Sequence, residues 1–85
     1  MYDYPLEPDW STEEIIEVVG LYNAVEQAYE EGISSKEFME HYHAFTSIAD
    51  SKALQKQLDK AFEEASGYSI YKVFKRSQEE EWVKL

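Results

Sequence analysis

Two short stretches, Ser11-Thr12-Glu13-Glu14 and Ser34-Ser35-Lys36-Glu37, constrain the fold of this chain more than any others. Both have Ser-x-x-Glu spacing, in which the serine hydroxyl accepts from the N–H three residues on and the glutamate reaches back to the serine N–H. Apolar pairs at staple spacing frame them, Trp10 with Ile15 and Ile33 with Phe38. Both therefore read as helix starts. After the first, Ile15, Val18, Val19, Tyr22, Val25 and Tyr29 recur at helical spacing until Gly32. After the second, Phe38, Tyr42, Phe45 and Ala49 form one stripe, flanked by Met39 and Ile48.

A third helix begins near Asp50 or Ser51 and stops at Gly67. Its narrow apolar face holds Leu54, Leu58, Ala61, Phe62 and Ala65. Lys56, Asp59, Lys60, Glu63 and Glu64 read as its solvated face. The stretch Tyr68–Arg76 fits either a helix or an alternating strand. A lone strand leaves its backbone unpaired, so a fourth helix is expected there. Beyond it, residues 77–85 either extend that helix or fray. Residues 1–10, with Pro5 and Pro8, read as an extended arm. Its aromatic residues Tyr2, Tyr4 and Trp10 should lie on the core. The expected fold is all-α: one domain over 1–85, a compact array or bundle of about four amphipathic helices with an extended N-terminal arm. The four apolar stripes are expected to close on one another without a concave polar pocket.

The chemistry available is narrow. Without cysteine there is no disulfide, thiolate ligand or thiol nucleophile. No Gly-x-Ser-x-Gly, P-loop or dinucleotide turn occurs. Both histidines lie in Glu40-His41-Tyr42-His43. On a helix His41 and His43 stand about 200° apart, so they cannot share one ion. Glu40 and His43 have Glu-x-x-His spacing, but a di-iron bundle needs two such pairs. His43 reads as a surface residue and His41 as a half-buried boundary histidine. No cofactor, metal ligand or catalytic residue is assigned. The remaining route to catalysis or metal binding is a carboxylate. Glu26, beside Ile15, Val19 and Tyr22 on the helical wheel, is the candidate, with Glu30 or His41 as its companion. A tie from Glu26 to Lys72, Lys75 or a tyrosine hydroxyl is the structural alternative.

The net charge of −10 is unevenly spread, with −11 over residues 1–50 and +1 over residues 51–85. Nucleic acid is thereby disfavoured, and a basic protein partner or a cation is more plausible. The acidic half can also be read as a nucleic-acid mimic. Lys72, Lys75 and Arg76 read as a balancing patch. No signal-peptide pattern or membrane-length apolar run is seen, so a cytoplasmic protein with no membrane contact is expected. Seven tyrosines are many for 85 residues. Tyr68 and Tyr71 from this surplus, and Trp82 in the acidic tail Glu79-Glu80-Glu81-Trp82-Val83-Lys84-Leu85, are candidate interaction residues.

Four blocks in order, "YPLEPDWSTEEI", "VEQAYEEG", Ser51-Lys52 and "SGYSIYKV", resemble the YktA-like family of short proteins from low-GC Gram-positive bacteria. The resemblance runs from about Tyr4 to Arg76. It implies a small all-α fold and a bacterial cytoplasm. The family is labelled uncharacterised, so it supplies no activity and no site residue. The chain departs from the pattern at His43-Ala44-Phe45-Thr46, where members commonly carry basic residues, and at Leu54, where they often carry Glu. The lead expectation is a non-enzymatic protein–protein interaction module, homo-oligomeric assembly included. The rival is a carboxylate-based enzyme or metal binder centred on Glu26.

Overall fold

The computed structural model describes residues 3–85; Tyr2, expected on the core, lies outside the described residues. Four helices carry the chain: α1 (Thr12–Glu30), α2 (Ser35–Ile48), α3 (Lys52–Ser66) and α4 (Ile70–Ser77). Each starts at a serine whose hydroxyl accepts from an N–H three residues on: Ser11, Ser34, Ser51 and Ser69. At Ser11 the return bond from Glu14 is also made, at 2.8 Å, completing the box. These bonds satisfy N–H groups that a helix cannot satisfy itself.

The helical architecture expected from the sequence is present, with one correction. Two residues after α1, Ile33–Ser34 (β1), pair antiparallel with Trp82–Val83 (β2) in the tail. Residues 77–85 neither extend α4 nor fray. Ser35 N–H donates to Glu81 O at 2.8 Å, Leu85 N–H donates to Ala28 O at 3.0 Å, and the Ser35 hydroxyl donates to Glu80 O. Ile33 and Val83 face one another at 0% exposure. Fully burying a side chain of this size stabilises by about 1.5–3 kcal/mol. The tail is held by that burial and by a strand partner in the α1–α2 linker, a segment too short to show a strand period.

The core is an aromatic series. Tyr22 is fully buried and stacks on Phe62 at 4.6 Å; Tyr4 of the arm stacks on Tyr22 at 5.5 Å. The Tyr22 hydroxyl donates to Pro5 O at 2.8 Å, tying the arm to α1. On the α2 side Phe45 leads to Tyr42, which stacks on Phe74 of α4 at 4.5 Å. α1 packs chiefly on α2, and α4 contacts α1, α2 and α3. The Cα radius of gyration is 11.9 Å, against about 12 Å for a compact chain of this length, so neither arm nor tail projects from the body.

Candidate functional site

An apolar cleft opens where α2, α3 and α4 meet. α2 contributes Tyr42 and Phe45, three residues apart on its inner face. α4 contributes Ile70, Tyr71 and Phe74. α3 contributes Lys52, Gln55, Lys56 and Asp59, the i, i+3, i+4, i+7 set that shares one helix face. The cleft holds about 190 Å³. The stripes thus leave a concavity, but a mainly apolar one rather than the polar, multi-ligand pocket whose absence was expected. The cleft floor is closely packed: Phe45 and Ile70 are buried at 1% and 3% exposure, and half-buried Tyr42 stacks on Phe74 of α4.

Its polar groups are arranged in two ways. Gln55 Nε2 donates to Ala49 O at 2.7 Å, pinning the α2–α3 corner. Asp59 Oδ1 accepts from Ile70 N–H at 2.9 Å, so this carboxylate sits at the start of α4, where it meets the positive end of the helix dipole. Burial pushes the Asp59 carboxyl above its usual range, the backbone N–H groups of Ile70 and Tyr71 oppose that rise, and Glu63 adds to it. Burial also raises the Tyr42 phenol, with Asp59 adding to it. Lys52 and Lys56 are exposed and stand one turn apart at the rim. Among the described residues, the ion pair within 4.0 Å is Arg76–Glu80, so both rim ammonium groups lack a carboxylate at that range. One carboxylate committed to backbone, two lysines and an apolar floor suit binding better than proton transfer.

The four sequence candidates do not converge. Tyr71 is 59% exposed on the lip of the cleft. Trp82 is 58% exposed in β2, away from the cleft lining, and one edge of its indole occupies the space above Gly32. Glu26 and Tyr68 share a third place. The Tyr4 hydroxyl lies 3.1 Å from both Glu26 carboxylate oxygens and 2.9 Å from Asn23 Oδ1. Having one proton, it donates to one of them at a time. Burial, then the neighbouring Glu30, raises the Glu26 carboxyl. The Tyr68 hydroxyl donates to Glu30 Oε2 at 2.9 Å, which pushes the phenol upward. The Tyr68 ring stacks on Tyr29 at 4.4 Å, and the Tyr29 hydroxyl accepts from Ser69 N–H. Glu26 is thus tied to a tyrosine of the arm, and among the described residues neither Lys72 nor Lys75 pairs with it.

His41 is half-buried against α1: a Cβ built on Gly20 would lie 3.2 Å from its Nδ1. Among the described residues no group of three or more His, Cys, Asp or Glu side chains is placed to hold a metal ion. Sequence reading missed Asp59, Lys52 and Lys56 as site residues. Asp59 reads as part of the solvated face, although it precedes Phe62 by three and therefore flanks the buried Leu58–Phe62 line. That adjacency was the available signal.

The whole chain, residues 1–85, matches the model of a family described as "Uncharacterised protein family (UPF0223)". The chain belongs to the UPF0223 family. A UPF0223 protein of Bacillus mycoides (strain KBAB4) is 47% identical over 78 residues, covering 92% of this chain and 88% of the relative. One from Streptococcus thermophilus (strain CNRZ 1066) is 46% identical over 80 residues, covering 94% and 86%. One from Staphylococcus haemolyticus (strain JCSC1435) is 47% identical over 72 residues, covering 85% and 80%. These UPF0223 relatives come from the low-GC Gram-positive bacteria to which the resemblance pointed. Among the described residues of this UPF0223 chain, no helix is long and apolar enough to cross a membrane.

Proposed function

We propose that this chain is a non-enzymatic protein–protein interaction module of the bacterial cytoplasm. Its partner inserts one large apolar side chain into the α2–α3–α4 cleft. The observation that carries this reading is the cleft itself: about 190 Å³, floored by Tyr42, Phe45, Ile70 and Phe74, with exposed Tyr71 at its lip. Pockets that enclose drug-sized ligands span roughly 300–1,000 Å³, so this volume suits a side chain better than a cofactor. Interfaces draw most of their energy from such desolvated aromatic anchors. Lone exposed apolar residues such as Ile16 and Leu6 need no such explanation. The acidic α1 side would favour a partner with basic surface beyond the cleft.

Site-specific photo-crosslinking in a bacterial host carrying the gene tests the reading. A benzophenone amino acid at position 71 should give a discrete protein adduct, while the same group at exposed Ala65 on α3 should not. Equal labelling from both positions, or none from position 71, would refute it.

A further inference from the structure

We propose that the occupant of this cleft is a second copy of the chain. That copy inserts Trp82 and sets Glu79 and Glu81 against Lys52 and Lys56. The inference rests on the cleft being an interaction site and specifies its partner.

Three observations carry it. First, charge: the cleft rim offers two ammonium groups without a carboxylate within 4.0 Å. The tail offers the complement. Glu79 and Glu81 are exposed and, among the described residues, also lack an ion pair at that range, whereas Glu80 is engaged by Arg76 at 3.3 Å. Second, size: the cleft admits about one large aromatic side chain, and Trp82 is a large aromatic left 58% exposed beside those glutamates. Third, rigidity: the strand pair and the Ser35 N–H to Glu81 O bond hold this corner in place before docking. A preformed ligand loses less conformational freedom on binding than a flexible tail does. Each copy carries both a cleft and a tail corner, and Tyr71 lines the cleft that receives the other copy's indole.

Two chains of net charge −10 repel one another. At physiological ionic strength charges further apart than about 8 Å are largely screened, so the local Lys–Glu arrangement decides. Very low salt should weaken association because it unmasks the net repulsion.

Sedimentation equilibrium from about 10 µM to 1 mM in 0.15 M salt reads the outcome directly, since the monomer is 10.0 kDa. The expected result is a concentration-dependent rise toward twice that mass. Trp82→Ala and, separately, Lys52→Glu with Lys56→Glu should each weaken association at least tenfold. The lysine pair is exposed on α3, so its variant keeps the fold, which circular dichroism verifies, and it guards against Trp82→Ala merely loosening the tail. Adding Glu79→Lys and Glu81→Lys to the Lys52→Glu, Lys56→Glu variant should restore association. A wild-type chain that stays at 10.0 kDa up to 1 mM overturns the proposal, and so does an oligomer indifferent to the lysine reversal. Neither result touches the broader reading if position 71 still crosslinks to a different protein. If position 71 yields no adduct at all, both readings fall.

Discussion

The indole of Trp82 occupies the space that a side chain on Gly32 would need. A Cβ built on Gly32 falls 2.5 Å from Trp82 Nε1 and 2.8 Å from Cε2 and Cζ2, and Gly32 also sits at φ +101°. Two separate penalties therefore meet at one residue. The left-handed backbone costs a side-chain-bearing residue about 1–3 kcal/mol, and the clash with the ring adds about 1–3 kcal/mol of overpacking. Gly32→Ala should lower unfolding free energy by about 2–6 kcal/mol in urea titrations. In a Trp82→Ala background the same change should cost only the backbone share, about 1–3 kcal/mol. Equal costs in both backgrounds would show that the indole does not rest on Gly32.

Asp59 makes the opposite prediction in sign. Its carboxyl is raised above the ordinary 3.8 by burial. The folded state therefore holds the proton more tightly than the unfolded state does, and this group's contribution falls as pH rises from about 3.8 through the raised value. Asp59→Asn keeps an acceptor for Ile70 N–H and removes the buried charge. It should melt higher than wild type at pH 7, and the gap should close below pH 3.8. Asp59→Ala instead leaves that N–H without its partner and should lose about 1–3 kcal/mol. Thermal melts across pH 3–7 separate the two; an Asn variant less stable than wild type at pH 7 would contradict this account.

What the sequence made legible was local. Serine caps, staple pairs and 3.6-residue stripes are short-range signals, and they located the first three helices; the fourth came from excluding an unpaired strand. What it hid was pairwise and distant. Ile33–Ser34 is too short to show a strand period, and its partner lies about fifty residues on, so the tail reads as either an extension of α4 or a frayed end. Asp59 looked solvated because its acceptor role depends on α4 arriving eleven residues later. Glu26 was recognised as an acid at the edge of the apolar face. Its donor, however, came from the arm, where Tyr4 has no periodicity to betray its target. The cleft was invisible because it is lined by three helices whose meeting no short-range pattern encodes.

Tyr4→Phe isolates the bond between arm and α1. The substitution keeps the stack on Tyr22 and the contact with Phe62 while deleting the hydroxyl that donates to Glu26 or Asn23. The loss should be about 0.5–1.5 kcal/mol. Donation favours the charged carboxylate, so without it the Glu26 carboxyl should move further above its ordinary 4.5. A raised acid holds its proton more tightly in the folded state, so stability contributed by this group declines as pH climbs through the shifted range. NMR titration of the Glu26 side-chain carboxyl carbon checks the direction. An unchanged or lowered midpoint in the variant would mean the tyrosine is not its donor.

The tail supplies the last test, because its order is what a fraying segment would lack. Leu85 N–H donates to Ala28 O and Ser35 N–H donates to Glu81 O. Release of β2 from β1 opens both bonds, and Val83, at 0% exposure against Ile33, opposes that release. Hydrogen exchange should find the Ser35 and Leu85 amides protected, slower by orders of magnitude than an unstructured terminus. Val83→Ala removes two buried carbons and should cost about 2–3 kcal/mol from lost transfer energy and the cavity left behind. In that variant the Ser35 and Leu85 amides should speed up together, by more than the amides inside α1, since the strand pair can open without unfolding the helices. Free exchange at Leu85 in the wild-type chain would instead place the tail in solvent and remove the rigid corner that presents Trp82.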